Sequence, residues 1–295
     1  MDDGSTDDTW KVVARYRGLV TAIRQDRRGV SAARNEALRR ARGEFIALLD
    51  ADDVYLPEKL ELQVQALDRY PEAGLVFTDL VEFTDAGKIL GRGLLGTPFF
   101  RQWLRAHRRG SVSVGWMYRE TLIQMCVPGG SCAMIRRECL DAVGDYHPAL
   151  PPGAEDYDLN LRLAQRYPVV ILDRVLYRYR WREDSASGPF ADRLRKWAEL
   201  HEWVRNAHLR ALPADLPTEA WAALRQYYWD ALALDRVPEA RLLFRPVLRH
   251  QPRKVKAAVS YLGSYLPRRT RRLVRALGEG VLRARRPVVG QGAKP

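Results

Sequence analysis

No apolar run in this 295-residue chain approaches the ~20 residues that cross a bilayer. Met1 leads straight into acidic residues, with no basic and then apolar leader. Both absences point to a cytosolic chain that could meet a membrane only from its surface. Cysteine is scarce as well: Cys126, Cys132 and Cys139 are spaced by six and seven residues, which fits neither a CxxC zinc half-site nor a disulfide framework. Reduced thiols are expected. Strand-like sequence is missing beyond about Phe190, and no internal repeat defines a solenoid. What the chain has in excess is positive charge, +13 in total, and it is unevenly placed. Residues 1–187 carry 27 Lys and Arg against 27 Asp and Glu, whereas residues 188–295 carry 22 against 9.

The patterning in the neutral part alternates helices with buried strands. Ser31 to Arg42 has the composition of a helix, with Ser31 as the expected N-cap and Gly43 as the expected left-handed C-terminal residue. Phe45 to Leu49 is a short continuous apolar run, as in a strand covered on both faces, and it ends in Asp50-Ala51-Asp52-Asp53. Pro57 then opens a second helix with Leu60, Val64 and Leu67 on one face. Gly74–Thr78 and Val169–Leu172 are further strands, and Ser131–Ile135 is a weaker one. The alternation predicts an α/β domain with a mainly parallel sheet over residues 1–187. Residues 91–130 lack a clear period and are expected to form a long irregular connection. Residues 188–295 form a helical basic region, with Trp197, Leu200, Trp203 and Val204 spaced for one helix face.

Three acidic clusters carry chemical potential. Asp2-Asp3-Gly4-Ser5-Thr6-Asp7-Asp8 is a turn-forming stretch that could do no more than cap a helix. Asp50 and Asp52 alternate at the end of a buried strand, where open sheets bind ligands and where two carboxylates can share a hard cation. Asp53 suffices as a cap for the helix at Pro57, which leaves Asp50 and Asp52 for another role. Glu155 and Asp156 follow a Pro-Pro-Gly turn at the start of a helix, where acids also favour the helix dipole.

Taken in order, these motifs resemble glycosyltransferase family 2, over Asp2 to about Ser187. The resemblance is carried by Asp-Asp-Gly-Ser-Thr-Asp at the start, Gly29-Val30-Ser31-Ala32-Ala33-Arg34-Asn35, Leu49-Asp50-Ala51-Asp52-Asp53, Glu155-Asp156-Tyr157-Asp158-Leu159 and Tyr179-Arg180. It implies a Rossmann-like GT-A type fold and an inverting transfer from a nucleotide-diphosphate sugar, with a UDP-sugar the expected donor, to a saccharide or lipid-linked acceptor in envelope assembly. It further implies that Asp3 reads the nucleotide base, with Asp2 and Arg34 also on the donor side. Asp52 with Asp50 would hold Mn2+ or Mg2+ on the donor diphosphate. Asp156 would be the catalytic base and Glu155 would stand on the acceptor side. Where members of the family often carry a histidine, this chain has Arg182, which cannot ligate metal but can pair with phosphate oxygens. The family also places a strand, a helix and a strand before the Asp pair, roughly 30 residues of a βαβ unit. The sequence here starts after that point, so the sheet is expected to lack interior partners beside Phe45–Leu49.

Two other readings compete. A metal-dependent nucleotidyltransferase would use the first acidic clusters but has no role for Glu155-Asp156. An inactive, donor-impaired protein could instead bind an anionic surface through its tail. Residues 249–295 hold thirteen basic residues and one acid, Glu279, and Leu273, Leu277 and Val281 recur at helical spacing within them. That is the pattern of an amphipathic basic helix for an anionic membrane interface. Nucleic acid is a poorer partner, since the apolar stripe would have no use there.

Overall fold

The computed structural model describes residues 1–123, 130–182, 190–234 and 236–249. In chain order the elements begin with α1 (Thr9–Ala14), α2 (Val30–Arg40), β1 (Phe45–Ala47), β2 (Val54–Tyr55), α3 (Lys59–Arg69), β3 (Leu75–Phe83) and β4 (Ile89–Arg92). Then come α4 (Pro98–Ala106), β5 (Arg108–Arg109), β6 (Val112–Gly115), α5 (Tyr118–Ile123), β7 (Ala133–Arg136) and α6 (Arg137–Val143). The series ends with α7 (Glu155–Arg166), β8 (Val169–Arg180), α8 (Phe190–Arg210), α9 (Thr218–Ala233) and α10 (Val237–Arg249).

The expected α/β fold is present, with a sheet in the order β1-β7-β3-β8-β6-β5. Its pairing is more mixed than the alternation of helices and strands predicts. β3 and β8 are parallel, but β7 runs antiparallel between β1 and β3, and β6 antiparallel to β8. β1, β3 and β8 therefore point the same way and end on one rim. Odd and even residues of the central strands face opposite layers, as the pleat requires. Leu75, Phe77 and Ile135 meet Leu38 of α2, Phe100 of α4 and Leu159 of α7 on one face. Val76, Met134 and Val170 meet Ala66 and Leu67 of α3 on the other.

β1 is the edge of this sheet and pairs only with β7 among the described residues, as expected for the neighbourhood of Phe45–Leu49. Ala47 and Leu49 are exposed, the latter by 52%.

Several local expectations are corrected. Gly29, at φ 90°, is the N-cap of α2 and Ser31 is buried inside the helix. Asp3 instead accepts from the Arg28 and Gly29 N–H groups just ahead of the helix. α2 ends at Arg40 and Gly43 has no positive φ. On α3 the buried positions are Lys59, Gln63, Ala66 and Leu67, whereas Leu60 is 45% exposed. Residues 91–130 are not an irregular connection, since they contain α4, β5, β6 and α5. The signal overlooked there was Thr97-Pro98, in which Thr97 accepts the Phe100 N–H and proline occupies the first turn.

The described chain divides into one unit of residues 1–223, which includes α8, and a second that begins at Leu224. The packing reason is aromatic: Tyr157 of α7 lies 4.6 Å from His201, and the Tyr118 hydroxyl is 2.8 Å from His208 Nε2. Along α8 the buried residues include Val204, while Trp203 is 54% exposed. In the second unit Tyr227, Tyr228 and Leu243 are buried. The amphipathic segment around Leu273–Leu282 lies outside the described residues, as does Cys126, whereas Cys132 and Cys139 are buried. No described helix is long and apolar enough to cross a membrane.

Lys59 is fully buried, donates to Gln63 Oε1 at 2.7 Å and lies 3.9 Å from the Tyr55 ring centroid. Burial lowers its pKa from 10.5 to about 8. The folded state therefore holds this proton less tightly than the unfolded chain, and stability gains from Lys59 as pH rises from 8 toward 10.5. Lys59→Met is expected to remove that gain, read as the difference from wild type in urea denaturation at pH 7 and pH 9.5. An unchanged difference at the two pH values would contradict this account.

Candidate active site

The carboxylates meet at the rim where β1, β3 and β8 end. Beyond β1 the chain turns at Asp50, with the Asp53 N–H donating to the Asp50 carbonyl at 3.0 Å. Three groups from other elements fix this turn. The Asp50 N–H donates to Ser131 Oγ at 3.0 Å, Arg180 Nε donates to the Asp52 carbonyl at 2.8 Å, and the Arg180 N–H donates to Asp53 Oδ1 at 3.0 Å. Asp53 is therefore not a cap for α3, which starts at Glu58 without a side-chain cap. It ties the turn to β8, and burial pushes its carboxyl up to about 6 despite help from Ser131 and the Arg180 N–H. Gly130, at φ 60°, passes so close that a Cβ there would lie 3.1 Å from Asp50 Oδ2.

Arg34 connects this turn to α7. Its side chain is only 12% exposed, and its fork donates from Nη1 to Glu155 Oε1 at 3.1 Å and to Asp156 Oδ1 at 2.9 Å. Nη2 donates to Asp50 Oδ1 at 3.1 Å. The guanidinium also lies 5.3 Å from the Tyr146 ring centroid. Asn35, next in the same motif, holds Tyr146 by both backbone groups, at 2.8 and 3.0 Å.

Glu155 is 3% exposed and its second oxygen accepts the Gly153 N–H at 2.6 Å. Both its oxygens thus accept from the protein, Oε1 from Arg34 and Oε2 from Gly153. Asp156 is the more open of the pair, at 16% exposure of its side chain. Burial pushes its carboxyl up to about 6, with Arg34 pulling the other way and Glu155 and Asp50 adding to the rise. Asp158, two residues on, pairs with Arg162 at 2.7 Å and belongs to the packing of α7.

Asp2 and Asp3 form a separate loop. Asp2 is buried, accepts the Ser5 N–H at 3.0 Å and faces Arg24 Nε at 3.2 Å. Asp3 accepts from Gln25 Nε2 at 2.6 Å and from the N–H groups of Arg28 and Gly29, each at 2.8 Å. Those bonds anchor the start of α2 and, outweighing burial, hold the Asp3 carboxyl below its ordinary range. An open cleft of about 780 Å³ lies along this loop, lined by residues that include Ser5, Thr6, Arg24 and Gln25. Arg182 lies just past β8 and is exposed.

The site thus gathers Arg34, Asp50, Glu155 and Asp156 within direct contact and places Asp52 in the same turn as Asp50. Ser131, Tyr146 and Arg180 were not singled out as site residues. Arg180 lay within a quoted motif, whereas Tyr146 carried no sequence signal. Among the described residues no three His, Cys, Asp or Glu side chains form a ready metal cluster. The oxygen donors of Asp50, 43% exposed, and Asp52 nevertheless suit a hard cation, because Mg2+ ordinarily takes one or two carboxylates and completes its shell with water and phosphate.

The family model for glycosyl transferase family 2 matches residues 1–144. A protein of Sinorhizobium fredii, y4gI, is 30% identical over 67% of this chain and 20% of its own length. A protein of Mycobacterium bovis, Mb1547, is 44% identical over 26% of this chain and 24% of its own. The chain thus spans a quarter or less of these two relatives. The amylovoran biosynthesis glycosyltransferase AmsE of Erwinia amylovora is 27% identical over 70% of this chain and 71% of its own length. A mannosyltransferase from Pyrobaculum calidifontis, solved with GDP-Man and Mn2+, is 21% identical with a TM-score of 0.44, over 90% of this chain and 77% of that one. With its motifs in family order and the family model matched over residues 1–144, this part of the chain belongs to glycosyl transferase family 2.

Proposed function

We propose that the chain is an inverting glycosyltransferase that moves a sugar from a nucleotide-diphosphate donor to a saccharide or lipid-linked hydroxyl, in polysaccharide or glycolipid assembly. The observation that carries this reading is the convergence of Asp50, Glu155 and Asp156 on one guanidinium, because it joins a diphosphate-side turn to a candidate base. One positive charge faces three negative ones there, with Asp52 adding a fourth nearby. A divalent cation held by Asp52 and Asp50 would balance that excess and stabilise charge on the departing diphosphate. AmsE and an Escherichia coli beta-1,3-glucosyltransferase named for a diphosphoundecaprenol-linked substrate, 36% identical over 69 residues, support the product class.

In the transfer, the acceptor hydroxyl attacks the anomeric carbon opposite the leaving nucleoside diphosphate, through a cation-like transition state. Asp156 takes the hydroxyl proton, and Arg34 keeps its carboxylate oriented between the acceptor and the Asp50 turn. Glu155 is locked by Arg34 and Gly153 and so stiffens the start of α7. Arg182 and the loop of Asp2 and Asp3 are assigned to the donor, and the nucleotide to the cleft along that loop. A nucleotidyltransferase would leave the Arg34 link to Asp156 without a purpose.

Asp156→Asn is expected to lower transfer by about 10²–10⁴-fold while donor affinity stays near wild type. Transfer at an undiminished rate would remove Asp156 from the mechanism. Because the base must be ionised, kcat/KM should fall on the acid side of about pH 6, close to tenfold per pH unit. Asp52→Ala should instead raise the Mn2+ concentration needed for half-maximal donor binding, and equal metal titrations would argue against a metal role. For the basic tail, flotation with anionic but not neutral liposomes is expected, lost on deleting residues 268–295; equal flotation without them would refute the membrane contact.

A further inference from the structure

A second concavity lies on the same rim of the sheet. It is a cavity of about 300 Å³ beside α4 and the β5–β6 hairpin, lined by residues that include Arg101, Arg105, Arg108, Ser113, Asp79 and Asp173. The strand register fixes its position. Thr78 pairs with Leu172 and Leu172 with Val112, which puts Asp79 and Asp173 at the ends of those rungs. On the other side of β3, Phe77 pairs with Ala133, and Met134 pairs with both Val76 and Ala47. Asp50 follows three residues past Ala47, the last residue of β1, whereas Asp79 lies within β3, three residues past Val76. β1 and β8 are three strand spacings apart, roughly 14 Å. α4 shares a core with α2 and α7 through Phe100, Leu38 and Leu159, so the cavity and the carboxylate cluster flank one layer.

The arginines around this cavity differ from those that tie the fold together. Arg34, Arg136, Arg162, Arg166 and Arg180 all have carboxylate partners. The guanidiniums of Arg101 and Arg105 have no hydrogen bond or ion pair among the described residues, and Arg108 reaches only the Gly110 carbonyl, at 3.2 Å. Arg101 and Arg105 are four residues apart on α4, so both project over the same face. Two carboxylates oppose them. Asp79 is 2% exposed and accepts from the Leu95 N–H at 3.5 Å, whereas Asp173 is exposed. Three guanidiniums against two acids leave a positive surplus, and the surplus lies at a concave surface and not on an open helix face. A merely solvated face accounts for exposed arginines but not for their gathering over a cavity that holds fewer acids than arginines.

We propose that this cavity is an anion subsite for the acceptor, which receives a phosphoryl group that the acceptor carries away from its reacting hydroxyl. The proposal rests on the glycosyltransferase reading above for the word acceptor, but not for the anion site itself. A phosphoryl group offers oxygens in three directions, so two guanidinium forks one helical turn apart can each pair with it. A carboxylate offers two oxygens in one plane and a single charge, against the three oxygens and up to two charges of a terminal phosphoryl group.

The test uses the full chain, the variant carrying Arg101→Gln with Arg105→Gln, and a control carrying Arg42→Gln with Lys88→Gln at exposed positions elsewhere. All four side chains are exposed, so thermal melting should match wild type in both variants. In calorimetric titration with octyl diphosphate, wild type and control should bind alike and the Arg101/Arg105 variant about tenfold more weakly. Octyl glucuronide should bind weakly to all three. Equal affinity for octyl diphosphate in the Arg101/Arg105 variant overturns the subsite, and a stronger response to the glucuronide overturns the phosphoryl assignment. In transfer assays the variant should raise KM for a diphosphate-linked acceptor, with kcat, donor KM and KM for a neutral octyl glycoside unchanged. Loss of binding with no change in that acceptor KM would overturn the acceptor role. Binding that behaves as expected while no sugar is transferred to any acceptor would count against the transferase reading and leave the anion site standing.

Discussion

The rest of the site depends on the fork of Arg34. Its two terminal nitrogens reach carboxylates from two other parts of the chain, after β1 and at the start of α7. Partly buried ion pairs of this kind add little net stability, because desolvation offsets most of the attraction. What they fix is geometry. Without the guanidinium, Asp50, Glu155 and Asp156 would repel one another in a region of low dielectric, and at least one would have to take up a proton. Burial raises the Asp156 carboxyl, and Glu155 and Asp50 add to that rise against the pull of Arg34.

The turn that holds Asp50 and Asp52 is rigid for reasons that lie outside it. Ser131, Arg180 and the close approach of Gly130 tie it to β7 and β8. Beneath it, Tyr55 donates its hydroxyl to the Leu48 carbonyl, and Lys59 and Gln63 link the ring to the Cys132 carbonyl. A buried lysine is costly unless its proton donors find acceptors. Here the polar network runs from α3 to the strand ends, so the second layer of the fold acts on the position of the carboxylates.

The parts of the fold that periodicity can read were legible: Phe45–Ala47, Leu75–Phe77 and Val169–Leu172 are strands, and α2, α3 and α7 are helices. Pairing direction was not, because an antiparallel β7 between β1 and β3 has the same apolar composition as a parallel strand. Lys59 and Gln63 are of residue types usually found at the surface, and only tertiary contacts bury them here. At the site, the carboxylates stood out by type and spacing. The contacts that orient them did not, since Arg34 lies 121 residues from Glu155 and Tyr146 resembles any buried aromatic. The order of motifs carried the family, whereas nothing in the order disclosed that Glu155 is spent on Arg34 and Gly153.

Asp3 is where two demands on one side chain can be compared. A carboxylate has about four lone-pair sites, and three of them already accept, from Gln25, Arg28 and Gly29. Two of those donors are backbone groups at the start of α2, and α2 carries Arg34 one and a half turns further on. If Asp3 receives an N–H from a nucleotide base, one site on Oδ2 is left for it without loss of the anchor. A ligand demanding two bonds would have to displace Gln25, the only side-chain donor of the three, or loosen the helix that positions Arg34. Asp3 and the carboxylate cluster are therefore linked through α2, and a single-bond contact at Asp3 is the one that leaves Arg34 in place.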